Sequence, residues 1–99
     1  MTALSERAIE KAVCLHATRQ DFAPYKFTSP GRRSVPDRVF FGREGSMFFI
    51  EFKRKGAKPT VLQLREHEKL KARGFRVYVC DSVDDGKLII DFEKEQSRC

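Results

Sequence analysis

The chain has 99 residues, 40% of them hydrophobic and nine of them Phe, enough for one modest core but too few for a catalytic sheet with a separate binding domain beside it. Twenty Lys and Arg against fourteen Asp and Glu leave a net charge of +6, which points to a polyanionic partner, while the apolar content excludes a disordered basic tail. Three cysteines without a C-x-x-C pair argue against a disulfide framework or a zinc site, and with no signal-like or membrane-length apolar run the expectation is a protein that is not secreted, in a reducing cytoplasm and away from membranes.

From about Leu4 to Gln20, Ile9, Ala12, Val13, His16 and Ala17 recur at the spacing of one helical face, with Thr2 or Ser5 as the cap. Tyr25-Lys26-Phe27-Thr28 alternates like a strand, and Ser29-Pro30-Gly31-Arg32-Arg33-Ser34 reads as a basic loop. Arg38-Val39-Phe40-Phe41 is the next strand, Gly42 to Ser46 a hairpin turn, and Met47 to Lys53 the strand that returns. After the break at Lys55-Gly56-Ala57-Lys58-Pro59, Thr60 caps a helix to about Arg73, closed by Gly74, with Leu64, His67 and Leu70 on its inner face. Phe75 to Cys80 is a strand that can return parallel to Met47–Lys53 through this helical crossover. For the remainder, Ser82-Val83-Asp84-Asp85 resembles a helix start and Leu88-Ile89-Ile90 suits a short strand; a terminal helix is the preferred reading. The order α-β-β-β-α-β, with a further helix, implies a mixed sheet flanked by helices.

Chemistry concentrates at Pro36-Asp37 and Glu51-Phe52-Lys53. Alternation sends Phe49, Glu51 and Lys53 to one face, so a strand that starts in the core turns charged as it ends. If the two segments are neighbouring strands, Asp37, Glu51 and the Phe52 carbonyl form a hard oxygen set for Mg²⁺ or Mn²⁺, with Lys53 placed to orient a water or stabilise phosphate oxygens. Glu6 or Glu10 on the first helix can add an acid, against the simpler reading of a favourable charge near a helix start and a solvated one. Gln63, where the second long helix leaves the Glu51 strand, can hold a phosphate, Lys53 or a water. Lys26, Ser29, Arg32, Arg33, Lys55 and Lys58 lie in flanking loops as phosphate contacts, salt-dependent and indifferent to base sequence. His16 and His67 fall on apolar faces, where packed, hydrogen-bonded imidazoles without a catalytic role are expected.

Glu6, Pro36-Asp37, Glu51-Phe52-Lys53 and Gln63 together resemble the PD-(D/E)xK nuclease superfamily. More narrowly, Tyr25 to Arg33 leading into Val35-Pro36-Asp37-Arg38, followed by Glu51-Phe52-Lys53, Lys58-Pro59-Thr60 and Gln63, resembles the VRR-NUC (virus-type replication-repair nuclease) family over the chain up to about Ser82. The resemblance implies an α/β, restriction-endonuclease-like core and one nuclease domain spanning residues 1–99. It also implies a Mg²⁺- or Mn²⁺-dependent DNA endonuclease in which Asp37 and Glu51 bind metal, Lys53 is catalytic, Glu6 is an additional acid and Gln63 supports the site. Short stand-alone members belong to phages and bacteria and are associated with homodimers that cut branched DNA such as four-way (Holliday) junctions, chemistry of DNA repair. Ser34 stands where Gly is common in relatives, which would restrict the loop backbone. A nuclease of linear DNA, RNA as the substrate, and a non-catalytic nucleic-acid-binding module with structural carboxylates are the competing readings.

Overall fold

A computed structural model describes residues 3–97 and gives the order α1 (Glu6–Arg19), β1 (Ala23–Lys26), β2 (Arg38–Phe41), β3 (Met47–Phe52), α2 (Val61–Ala72), β4 (Val77–Cys80) and α3 (Val83–Gln96). The strands form one mixed sheet in the order β1-β2-β3-β4: β1–β2 and β2–β3 are antiparallel, and β3–β4 is parallel through the α2 crossover. This is the α/β, restriction-endonuclease-like arrangement expected from the sequence. No helix among the described residues is long and apolar enough to cross a membrane.

Alternation divides β3 between two cores. Phe48, Ile50 and Phe52 are fully buried with Phe40, Cys80 and the α1 residues Ile9, Val13 and Ala17, roofed by Ile90 of α3. On the opposite face Val39, Phe49 and Val77 form a smaller cluster with Phe27 and Leu70, beneath α2. Glu51, two residues after Phe49, therefore points to the α2 side and is 2% exposed. The segment Val83–Gln96 is a helix because Gly86, Ile90 and Glu93 recur at helical spacing and all face inward; Ser82 Oγ caps it from the Asp85 N–H at 3.1 Å. Glu93 is fully buried yet satisfied, by Arg76 Nε and Nη2 at 2.6 and 2.7 Å and by the Tyr78 hydroxyl, so α3 is clamped to β4 by a charged network as well as by packing.

Boundaries shift for identifiable reasons. The first strand is Ala23–Lys26 rather than Tyr25–Thr28: its register runs from Ala23 opposite Phe41 to Lys26 opposite Arg38, and Pro24 is tolerated because β1 is a sheet edge. Phe75 does not begin β4, because its N–H closes the C-terminus of α2 on the Leu70 carbonyl at 3.2 Å, after Gly74 at φ +94°. On α2 the expected inner face is corrected. His67 is buried and Leu70 partly so, but Leu64 is 48% exposed and Glu66 takes the inward place. Ser5 caps α1 through the Ala8 N–H at 3.1 Å; Thr2, the other candidate cap, lies outside the described residues.

Candidate active site

The β2–β3 register builds the site. Val39 lies opposite Phe49 and Arg38 opposite Ile50, so the next step outward sets Asp37 opposite Glu51. There the ladder changes partner: Asp37 Oδ2 accepts the Phe52 N–H at 2.7 Å, and the Asp37 carbonyl accepts the Phe27 N–H at 3.0 Å. Pro36, fully buried, stops the strand one residue earlier, since it has no N–H to pair. Lys53, two residues past Glu51 on the same face, brings Nζ to 3.9 Å from Glu51 Oε2 with its side chain only 15% exposed. Its own N–H continues the parallel ladder to the Cys80 carbonyl at 2.9 Å.

Gln63 does a more defined job than holding a water or phosphate. Thr60 and Gln63 form a reciprocal capping box: Thr60 Oγ1 accepts the Gln63 N–H at 3.1 Å, and Gln63 Oε1 accepts the Thr60 N–H at 2.8 Å. With the amide oxygen committed to the cap, the amide nitrogen is left to donate, and it reaches Glu51 Oε2 at 3.0 Å. A helix-capping motif thus fixes the orientation of the amide that bonds Glu51.

Burial, and after it the neighbouring Asp37 carboxylate, push the Glu51 carboxyl up to about 8, with Lys53 pulling the other way. Glu51 Oε1 is buried without a hydrogen-bond partner. A shielded carboxylate with an unfilled oxygen beside a second carboxylate is a donor set that a hard divalent cation relieves, so the residues fit Mg²⁺ or Mn²⁺. Among the described residues no three His, Cys, Asp or Glu side chains converge as a metal-holding group; the acids brought together are Asp37 and Glu51.

The acids of α1 separate. Glu10 lies on the far side of the sheet, where it accepts from Arg38 Nε at 2.5 Å and Lys26 Nζ at 3.3 Å. Glu6 is exposed in the first turn of α1, and its charge is the last of the influences that raise the Glu51 pKa. Of the six residues expected in flanking loops, Lys26 instead ends β1 and is engaged by Glu10, whereas Lys55 and Lys58 are exposed beyond β3. Ser29 and Arg32 line a cleft of about 660 Å³ between their loop and α2, and Arg32 Nη1 lies 3.6 Å from Glu66 Oε1. Arg33 borders the adjoining cleft with Arg65 and Lys69. The loop keeps its shape with Ser34 at φ +65°, a left-handed backbone achieved without glycine.

Three cations on the helix wall of these clefts, Arg65, Lys69 and Arg73, are not among the loop residues that the sequence offers as phosphate contacts. Their fourfold spacing along α2 was the available signal. His16 is hydrogen-bonded as expected, through Nε2 to Asp91 Oδ1 at 2.7 Å. His67 is buried as expected but not hydrogen-bonded: its Nε2 has no partner within bonding distance and lies 3.5 Å from Glu51 Oε1, because α2 sets it over the strand that carries the acid. Burial, and after it Lys71, hold its imidazole below the ordinary range and hence neutral.

No protein-family model matches the chain. A curated relative, "Putative nuclease p44" of Acyrthosiphon pisum secondary endosymbiont phage 1, is 45% identical over 89 residues, covering 90% of this chain and 96% of the relative. A solved structure described as "VRR_NUC domain" superposes with a TM-score of 0.81 at 29% identity, over 87% of this chain and 94% of its own. A second, "VRR_NUC domain protein", shares the fold with a TM-score of 0.73 at 19% identity, over 91% and 88% of the two chains. The sheet register that brings Asp37 beside Glu51, the helix that reaches back to it, and this similarity along nearly the whole chain agree: the protein belongs to the VRR-NUC family.

Proposed function

We propose that the protein is a divalent-metal-dependent DNA endonuclease of the PD-(D/E)xK type, acting as a homodimer on branched DNA such as four-way junctions. The observation that carries the reading is the register that sets Asp37 opposite Glu51, with Lys53 on the same face and 3.9 Å from the Glu51 carboxylate. The full-length phage relative whose name includes nuclease supports the activity. The basic clefts beside the site support a nucleic-acid substrate held through its phosphates.

Asp37 and Glu51 would hold Mg²⁺ or Mn²⁺, with the Phe52 carbonyl between Glu51 and Lys53 a further donor and Glu6 an outer acid. Bound there, such an ion supplies an acidified water and neutralises charge that builds on the phosphate. The chain's own residues do the rest. Asp37 is fixed by the Phe52 N–H and Glu51 by Gln63, so neither carboxylate must reorganise as the reaction begins. Lys53, enclosed on a strand end, presents its ammonium to the phosphate oxygens or to the attacking water. Arg32, Arg33, Lys55 and Lys58 hold flanking phosphates and Ser29 extends that surface, whereas Lys26 lies with Glu10 on the far side of the sheet. The branched substrate and the dimer rest on the family resemblance and on arithmetic: one small chain carries one site, and resolving a junction needs two symmetric cuts.

Labelled four-way junctions, flaps and linear duplexes incubated with Mg²⁺, Mn²⁺, Ca²⁺ or a chelator test the proposal. Cutting is expected with Mg²⁺ or Mn²⁺ only, best on branched DNA, and is lowered by about 10²–10³-fold in Lys53→Met at unchanged melting temperature. Binding without cutting under every ion would overturn it in favour of a non-catalytic binding module, and full activity in Lys53→Met and Asp37→Asn would overturn the assignment of the chemistry to this site.

A further inference from the structure

We propose that His67 is a positioning residue for Glu51, forming with Gln63 a two-donor clamp in which one face of α2 holds both oxygens of that carboxylate. The two residues are one helical turn apart, so their side chains descend side by side onto the end of β3. Gln63 Nε2 donates to Oε2 at 3.0 Å, and His67 Nε2 lies 3.5 Å from Oε1. These are the two buried side-chain atoms without a hydrogen-bond partner among the described residues, and they face one another. A bridging water would need roughly 5 Å between them, two hydrogen-bond lengths, so no water fits. The Asp37 carboxyl also approaches Glu51, but it can bond there only while one of the two acids keeps a proton; His67 is the neighbouring donor once both are ionised, and a small rotation of the imidazole closes the bond.

The clamp requires the tautomer with hydrogen on Nε2. A carboxylate offers about four lone-pair sites, and the two donors of α2 occupy one on each oxygen. The remaining sites are left for the side of the carboxylate where Asp37 and Lys53 lie, so His67 and Gln63 decide which lone pairs a cation meets. A histidine that served packing alone would not need to aim its unpartnered nitrogen at an acid that is 2% exposed.

This inference rests on the reading of Glu51 as a metal ligand, and the tests separate the two. In protein labelled with ¹⁵N at histidine and held above about pH 8, where the Glu51 carboxyl is ionised, the His67 ring is expected to show the Nε2–H tautomer; an Nδ1–H ring there overturns the clamp whether or not the protein is a nuclease. Mn²⁺ binding, measured by titration calorimetry or by the electron paramagnetic resonance of the free ion, should weaken about 10–100-fold in His67→Leu, which keeps bulk without a donor. It should recover in His67→Gln, whose amide nitrogen reaches a similar place. With DNA, kcat should fall in His67→Leu while KM stays constant, because the residue touches no phosphate. Mn²⁺ affinity and kcat unchanged in a folded His67→Leu would reduce the residue to packing and overturn the proposal. Should His67→Leu not fold, His67→Gln retaining Mn²⁺ affinity and His67→Asn, with a shorter reach, losing it is the expected pair; equal loss in both overturns it. A wild-type protein that binds no Mn²⁺ and cuts no DNA sinks the nuclease reading alone, and the tautomer still decides the clamp.

Discussion

At the scale of single residues, two conformational and electrostatic costs are concentrated near the site. Glu51 has a folded-state pKa near 8 against an ordinary carboxyl value of 4.5, so between those values the folded protein binds more protons than the unfolded chain. By linkage its contribution to stability is full below about pH 4.5, falls as pH rises, and is lost above about pH 8. In chelator, melting temperature should therefore carry a downward component across this window that Glu51→Gln removes; a Gln variant with the wild-type profile would refute it. Ser34 at φ +65° bears strain of about 1–2 kcal/mol that glycine avoids, offset by about 0.4–1 kcal/mol of extra unfolded-state entropy. Ser34→Gly is expected to raise stability by about 0.5–1 kcal/mol in urea titrations, and a loss would mean the serine side chain is itself bonded in the loop.

At the scale of elements, α1 and α3 meet so closely that Gly86 has no room for a side chain: an added Cβ would stand 2.2 Å from Val13 Cγ2 and 3.1 Å from Cys80 Sγ. Alanine would gain about 0.8–1 kcal/mol of helix propensity but overpacking costs about 1–3 kcal/mol, so Gly86→Ala should destabilise by about 1–2 kcal/mol. Shortening the neighbour in Gly86→Ala/Val13→Ala should return part of that loss; a simple sum of the two single costs would show that Val13 is not the obstacle. The elements themselves were legible because hydrophobic period follows from burial: Ile9, Val13 and Ala17 read as a helix face, and Met47–Ile50 as a strand covered on both sides. What escaped was polar and long-range. The inward turn of Glu66 and the exposure of Leu64 depend on Arg32 and on a site below α2, neither of which has a periodic signature. Asp37 and Glu51 could be paired from the sequence because two short strands and one turn fix their register, while His67 reaches Glu51 only through the placement of a whole helix.

At the scale of the molecule, the positive charge is organised rather than spread. Arg65, Lys69 and Arg73 continue the basic wall that begins at Arg32 and Arg33, away from the acids and toward the far end of α2. Replacing all three with alanine should lower the slope of log binding constant against log salt by about 1 per residue that contacts phosphate, without changing preference among base sequences. Fluorescence anisotropy with a junction at several salt concentrations measures it, and an unchanged slope would remove α2 from the DNA surface. The two signs of charge are kept apart: Glu51 is enclosed and Asp37 half-buried, while the cations face outward.

Gln63 joins the weakest part of a helix to the most demanding part of the protein. First turns fray readily, and here fraying would withdraw the Thr60 cap and the Glu51 donor together, since both ends of one amide are in use. The order of the Glu51 carboxyl is therefore stored in a local folding equilibrium. It also sets a limit on sequence drift: glutamate at position 63 would complete the capping box equally well, yet it would replace a donor with a second anion facing Glu51.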